Sequence, residues 1–326
     1  MSVTVTPGLV SIVVASYNHA DYLKQRMDSL IAQTYPNIEI IVIDDHSTDN
    51  SLEVLKLYES CPKVNLIVRE ENGGWVTVSN QGVELSSGEF VIFANCDDDC
   101  DPYMIEYLVS ILQRYPKAGI SFCRSLMIDS RNNIIGDDFF YREKAFKSFC
   151  TFDRLITKRE MTLFLLYSCV IPNLSAALIR KECLFEVGVL SHDYKVCSDW
   201  DLFLRISTRF DFAYVTKALN KFRQHRTTIR SQTKERIVIE EYLRLLLPLI
   251  KITDISQLKK TRYKIRVMYM WATHLMLPSM SGLKNFKFHV EKVIKYDPYA
   301  IFYLPFALII RLFALFIYLY KTKISS

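Results

Sequence analysis

No glycine-rich phosphate cradle occurs in this chain of 326 residues. Neither Gly-x-Gly-x-x-Gly after the first strand-like run nor Gly-x-x-x-x-Gly-Lys-Ser/Thr is present, which leaves dinucleotide and P-loop sites unsupported. If a nucleotide binds, carboxylates and a metal must do what glycine loops do elsewhere. Structural zinc is unsupported too. Of eight cysteines, only Cys96 and Cys100 are close, and no second pair or clustered histidines would complete the ligand set. The thiols, mostly among apolar neighbours, read as reduced and buried, as in a cytosolic compartment. No N-terminal signal is visible, because the polar start of the chain runs straight into the strand-like Val10-Ser11-Ile12-Val13-Val14.

What is present is an acidic stretch, Asn95-Cys96-Asp97-Asp98-Asp99-Cys100-Asp101-Pro102, at the exit of the apolar run Phe90-Val91-Ile92-Phe93. Carboxylates this close repel one another unless a cation or partner charge sits among them. Oxygen donors of this kind suit Mg²⁺ or Mn²⁺ bridging to a substrate phosphate. Asp101 reads as an N-cap before a helix starting at Pro102, which accounts for one aspartate and leaves three. A calcium loop is rejected: Pro102 takes the glycine position and Leu108 the place of the bidentate glutamate.

Strand, helix and strand then alternate with short connections. Strands are expected at Val10–Val14, Ile38–Ile43, Val64–Val68 and into Phe93, with helices around Leu23–Ile31, Leu52–Tyr58 and Trp75–Leu85. This argues an α/β fold with a mostly parallel sheet flanked by helices, whose ligands sit beyond the strands' C-terminal ends. Three polar clusters occupy those ends: Ser16–Asn18, Asp44–Asp49 and Asn95–Asp99. Residues 129–160 show few clear elements. A strand is expected over Ile171–Ile179, a helix from Ser198 with Asp199 and Asp201 in its first turn, and a short strand near Ala213–Val215.

Half of the residues are hydrophobic, enough for one large domain and an appendage. Net charge is +6, unevenly spread: residues 217–326 hold 21 Lys+Arg against 6 Asp+Glu, and the rest hold 20 against 29. From residue 231 the sequence turns helical, basic and apolar, so domains are drawn at 1–230 and 231–326. Ala300 to Tyr320 carries one charge in 21 residues, close to the roughly 20 that span a bilayer. Arg311 at its middle would cost about 2.5–3.5 kcal/mol on insertion, so a helix over 299–320 lying in the interface competes with a spanning one. The interleaved Leu, Ile and Phe favour an anionic membrane surface over nucleic acid.

With Val10 to Asn18, Glu39 to Asp49, Asn72-Gly73-Gly74, Asn80-Gln81-Gly82, the acidic stretch, Asp199-Trp200-Asp201-Leu202 and Phe222-Arg223-Gln224-His225 in order, residues 8–230 resemble glycosyltransferase family 2 with its GT-A fold. The resemblance implies an inverting transfer of a sugar from a nucleotide-diphosphate donor, with UDP the family's commonest carrier, and Mn²⁺ or Mg²⁺ as cofactor. It implies that Ser16 and Tyr17 line the base and ribose pocket, that Asp45 accepts from the base, and that Asp44 and Asp98 support the nucleotide. Asp97 matches the metal ligand, His225 a site that touches the metal or the diphosphate, and Asp199 the catalytic base. Two positions depart from the family pattern: Asn95 replaces the first acid of Asp-x-Asp, and Ser79 stands where arginine is frequent. The resemblance and the tail together imply a saccharide or lipid-linked saccharide acceptor in surface polysaccharide assembly, at the cytoplasmic face of the membrane, with oligomerisation through the extension open. The alternative is a catalytically impaired membrane-bound adaptor.

Overall fold

The computed structural model describes residues 5–225, 228–275 and 280–312. They form two compact units, one of residues 5–193 with 198–225 and one of residues 194–197 with 228–275 and 280–312.

The first unit begins β1 (Thr6–Ser16), α1 (Ala20–Ile31), β2 (Ile38–Asp44), α2 (Ser51–Lys56), β3 (Val64–Val68), α3 (Trp75–Leu85) and β4 (Gly88–Phe93). β-branched residues dominate β1 and β2, and Val10, Ile12, Val14, Ile40 and Val42 have no exposed surface; each such side chain contributes roughly 1.5–3 kcal/mol by leaving water. The apolar face of α1 delivers Leu23, Met27 and Leu30 to the same core. Gly82 of α3 lets that helix lie against β1, since a Cβ there would stand 2.2 Å from a Val13 methyl.

The chain continues with β5 (Asp99–Cys100), α4 (Met104–Arg114), β6 (Ala118–Ile128), β7 (Ile134–Asp137), α5 (Asp138–Tyr141), α6 (Lys144–Phe149), β8 (Arg154–Ile156), α7 (Lys158–Tyr167), β9 (Ala177–Arg180), α8 (Lys181–Val187), α9 (Ser198–Ser207) and β10 (Asp211–Arg223). Sheet order is β3-β2-β1-β4-β9-β6-β10-β5, with β7 beside β6 and β8 beside β10. β3, β2, β1 and β4 are mutually parallel, and β9 is antiparallel to both β4 and β6. The register sets Ser16 opposite Asp44, so the first two polar clusters emerge side by side. The two-residue β5 pairs antiparallel with β10, Asp99 against Lys221, which draws the end of β10 onto the acidic stretch.

Several expectations need correction. The strand expected over Ile171–Ile179 is a strand only over Ala177–Arg180, preceded by a 3₁₀ turn at Leu174–Ala176; apolar content alone does not separate these. The helix expected from Pro102 begins at Met104, and Asp101 closes an Asx turn by accepting from the Tyr103 N–H. Residues 129–160, read as poor in structure, contain β7, α5, α6 and β8.

The second unit holds α10 (Ile229–Gln232), α11 (Glu235–Ile252), α12 (Gln257–Leu275), α13 (Met280–Tyr296) and a 3₁₀ turn, Pro298–Tyr303. Leu243, Leu246, Leu247 and Ile250 form the buried stripe of α11, and Trp271 of α12 is fully enclosed. Residues 304–312 are helical. Among the described residues no helix is long and apolar enough to cross a membrane. The stretch 313–320 of the expected 299–320 helix lies outside the described residues.

Candidate active site

The site is built first from the turn after β2. Asn18 adopts a left-handed conformation, φ 54°, which asparagine tolerates. Its amide oxygen accepts from the Thr48 N–H at 2.8 Å, and its own N–H donates to Ser47 Oγ at 3.1 Å. Asp44 is buried and accepts from the Ser47 N–H and hydroxyl, at 2.9 and 2.6 Å. The fully buried Ser16 directs its hydroxyl at Asp44, 3.5 Å away, whereas Tyr17 is exposed. Asp45 accepts from the N–H groups of Gly73 and Gly74, both at 2.8 Å, and pairs with Arg69 at 3.0 Å. Gly74 has φ 82°, so glycine is what permits this turn to reach the carboxylate. Arg69 also donates to Gln81 at 2.6 Å and lines an open groove of about 500 Å³ with Ile67, Val68, Glu70 and Glu71. Ser79, where the family often has arginine, is buried.

The acidic stretch sorts its carboxylates by environment. Asp99 is tied to Lys221 at 2.7 Å and to Gln25 at 3.0 Å. Asp98 is buried and accepts from Asn173 Nδ2 at 2.6 Å and from the Arg223 N–H at 3.0 Å. Asn95, standing for the expected acid, directs its amide nitrogen at Asp98 from 3.4 Å. Burial first, then the neighbouring Asp97 charge, push the Asp98 carboxyl up to about 7, against the pull of Arg26. Arg26 is itself fully buried, and its guanidinium nitrogens have no hydrogen-bond partner among the described residues.

Asp97 is different. Its Oδ2 lies 2.7 Å from His225 Nε2, and one ligand atom each from His19, Asp97 and His225 lie within 4.8 Å of one another. Burial would raise the Asp97 carboxyl, but the His225 hydrogen bond and the charges of both imidazoles outweigh it and hold the group below the ordinary range. An anionic carboxylate flanked by two imidazoles is a donor set that fits a divalent cation. Arg223 frames this group: its Nε donates to the Asp97 carbonyl at 2.6 Å, and its guanidinium lies 4.7 Å from the Tyr22 ring centroid.

Asp199 sits in the first turn of α9 and is half-buried, accepting from the Trp200 N–H at 2.7 Å. The three N–H groups just before this helix, of Lys195, Val196 and Cys197, donate to Glu241 at 2.7–2.9 Å. Of the expected site residues, the structure joins Asp97 to His225, Asp98 to their surroundings, and Ser16 to Asp44. His19, Arg69, Asn173 and Arg223 were not expected. Arg223 lies inside the Phe222-Arg223-Gln224-His225 motif without a role of its own there, and His19 carries a local signal as a histidine between a strand end and a helix start.

Comparison with known proteins follows the same lines. A sequence model described as Glycosyl transferase family 2 matches residues 11–184. Glycosyltransferase GlyA of Streptococcus pneumoniae is 31% identical over 189 residues, which cover 56% of this chain but 27% of GlyA. An uncharacterised glycosyltransferase of Rickettsia typhi is 31% identical over 241 residues, covering 70% of this chain and 69% of the relative. The chain thus spans about a quarter of the length of GlyA and about two thirds of the Rickettsia protein. Among solved structures, S. aureus TarS 1-349 in complex with UDP-GlcNAc superposes with TM-score 0.68 at 15% identity, covering 88% of this chain and 80% of that one. The mannosyltransferase PcManGT from Pyrobaculum calidifontis, in complex with GDP-Man and Mn²⁺, gives TM-score 0.52 at 14% identity, covering 92% and 84%. At such identities the structural likeness speaks for the GT-A fold alone.

Proposed function

The chain belongs to glycosyltransferase family 2, and from that premise we propose that it transfers a sugar from a nucleotide diphosphate, with UDP preferred, to a hydroxyl of a saccharide or lipid-linked saccharide, inverting the anomeric centre. The observation that carries this reading is the convergence of Asp97 and His225 beside the turn of Asp44 and Asp45, at the C-terminal ends of parallel strands. TarS with UDP-GlcNAc or UDP supports a uridine donor, and PcManGT with GDP-Man and Mn²⁺ supports a metal-assisted one.

In this reading Tyr17 and the groove beside Arg69 receive the base and ribose. Asp45 shapes that groove through Gly73 and Gly74, while Ser16, Asp44 and Asp98 hold the surrounding backbone. Asp97 and His225 would hold Mn²⁺ or Mg²⁺, whose charge offsets the negative charge that develops on the departing diphosphate. Asp199 takes the proton from the acceptor hydroxyl as that oxygen attacks the anomeric carbon from the side opposite the leaving group. A single displacement by a base held at a helix start needs no covalent intermediate, and holding donor and acceptor together supplies much of the remaining rate.

Within the second unit, an exposed apolar stripe supports contact with a lipid surface. Phe302, Phe306, Ile309 and Ile310 are exposed at helical spacing, within the basic third of the chain. A cytoplasmic membrane face and self-association through this unit belong to the same proposal; flotation with anionic vesicles, lost on deleting residues 298–326, is the outcome expected for it.

The decisive experiment is turnover of UDP-sugars with MnCl₂, comparing Asp199→Asn with the unaltered chain. Release of UDP should fall by about 10²–10⁴-fold, the range for losing a general base, while UDP binding persists. Near-normal turnover in the variant would remove Asp199 from the role. No turnover by the unaltered chain with any nucleotide sugar would favour the adaptor reading, which Asn95 and Ser79 motivate.

A further inference from the structure

We propose that His19 is a third protein ligand at this centre, so that His19, Asp97 and His225 together select Mn²⁺ and later first-row ions over Mg²⁺ and hold them without nucleotide. This rests on the reading above, in which a divalent cation sits at Asp97 and His225.

The backbone of His19 is fixed. Its N–H donates to Ser51 Oγ at 3.1 Å, and its carbonyl accepts from the N–H groups of Tyr22 and Leu23, at 3.0 and 3.2 Å. The ring is also oriented, because Nδ1 stands 2.7 Å from the Tyr17 carbonyl. A carbonyl can only accept, so Nδ1 carries the proton and Nε2 is the nitrogen left to bind a cation. Metal-ligating histidines are held in this way, with the second nitrogen donating to a backbone carbonyl or carboxylate. Tyr22 lies against both imidazoles, its ring centroid 6.3 Å from His19 and 5.1 Å from His225.

Donors on adjacent corners around an ion at about 2.1 Å stand about 3.0–3.4 Å apart. Asp97 and His225, at 2.7 Å, stand a few tenths of an ångström inside that spacing and would part slightly around an ion, and with a His19 ring nitrogen within 4.8 Å of both ligand atoms a modest side-chain movement would complete the set. The alternative is that the two histidines only neutralise Asp97. Both imidazole charges do lower that carboxyl, yet charge alone requires no fixed ring, and the Tyr17 carbonyl fixes the His19 ring at 2.7 Å.

The donor set then decides the metal. A lone carboxylate suits Mg²⁺, which prefers oxygen and keeps several waters, whereas two imidazoles and a carboxylate suit transition ions. Three protein donors leave the remaining positions to water or diphosphate oxygens.

The test titrates the full chain with MnCl₂ and separately with MgCl₂, without and then with UDP, for the unaltered chain, His19→Ala and His19→Gln. Free Mn²⁺ is counted by EPR, and coupled nitrogens by pulsed EPR. The unaltered chain should bind Mn²⁺ without UDP, more tightly than Mg²⁺, with two imidazole nitrogens coupled. Both variants should lose about tenfold or more in Mn²⁺ affinity and one coupled nitrogen, with Mg²⁺ binding little changed. Metal-free melting temperatures identify a variant that fails to fold, and the other variant then carries the comparison. Unchanged Mn²⁺ affinity and nitrogen count in the variants would remove His19 while leaving the Asp97–His225 centre in place. No Mn²⁺ binding by any form, with or without UDP, would remove the underlying centre as well.

Discussion

The turn after β2 and the loop after β4 both gather carboxylates at neighbouring strand ends, yet the carboxylates differ in what they face. Asp44 and Asp45 are occupied by backbone N–H groups, a serine hydroxyl and one arginine, so their charge is used to build a turn. In the second cluster Asp98 and Asp99 are similarly absorbed, by Asn173, the Arg223 N–H, Lys221 and Gln25. Asp97 alone meets ionisable nitrogens that a cation would also choose. Carboxylate density therefore says little about which oxygen does chemistry. The partner decides: an amide N–H fixes a carboxylate as structure, and an imidazole leaves it exchangeable for metal.

Paired substitutions bear on that contrast most strongly. Asp97→Asn should lower UDP-sugar turnover by roughly 10²–10³-fold, as expected for losing a charge that acts at the reacting diphosphate, with a smaller loss of stability than Asp45→Ala. Asp45→Ala should do the reverse in emphasis, costing about 2–3 kcal/mol of stability because two glycine N–H groups and the Arg69 charge lose their acceptor. Denaturant titration and initial rates on the two variants check this. Equal losses of stability and rate in both would erase the distinction.

A smaller effect separates Asp98 from Asp97. The Asp98 carboxyl is raised to about 7 by burial and by Asp97, above the ordinary 3.8 of the unfolded chain. Its neutral form is the one the fold prefers, so its contribution is full below pH 3.8 and is lost as pH rises through about 7. Asp97, held low, acts in the opposite sense: its contribution is present above the ordinary carboxylate range and lost as pH falls below it. Metal-free melting temperatures should therefore decline from about pH 4 to about pH 7 and level off above it, and Asp98→Asn should flatten that decline. Parallel curves for the two proteins would contradict the assignment.

The four parallel strands and the helices between them were legible because period and composition are local: β-branched runs such as Ile38–Ile43 and the apolar spacing of Leu23, Met27 and Leu30 need no distant partner to be recognised. The roles proposed for Asp97, His225 and Asp199 rest on the order of motifs and the family resemblance. The setting of Asp97 was not legible. It depends on a two-residue strand, Asp99–Cys100, pairing with Asn220 and Lys221 across more than a hundred residues of chain, which no local pattern encodes. His19 closes the polar loop after β1, and nothing local marks it as a ligand, because its partners Asp97 and His225 lie far along the chain. Burial and partners, not residue type, distinguish Asp97 from Asp98 and Asp99.

Transfer in the proposed reaction depends on one charge-dependent event, the joining of a nucleotide diphosphate to this centre through a divalent ion that Asp97 would hold. Calorimetric titration of UDP into the full chain, once with MnCl₂ and once with EDTA, tests it most directly. Saturable binding with Mn²⁺ that vanishes in EDTA and in Asp97→Asn is the predicted result; UDP binding of equal affinity under all three conditions would contradict it.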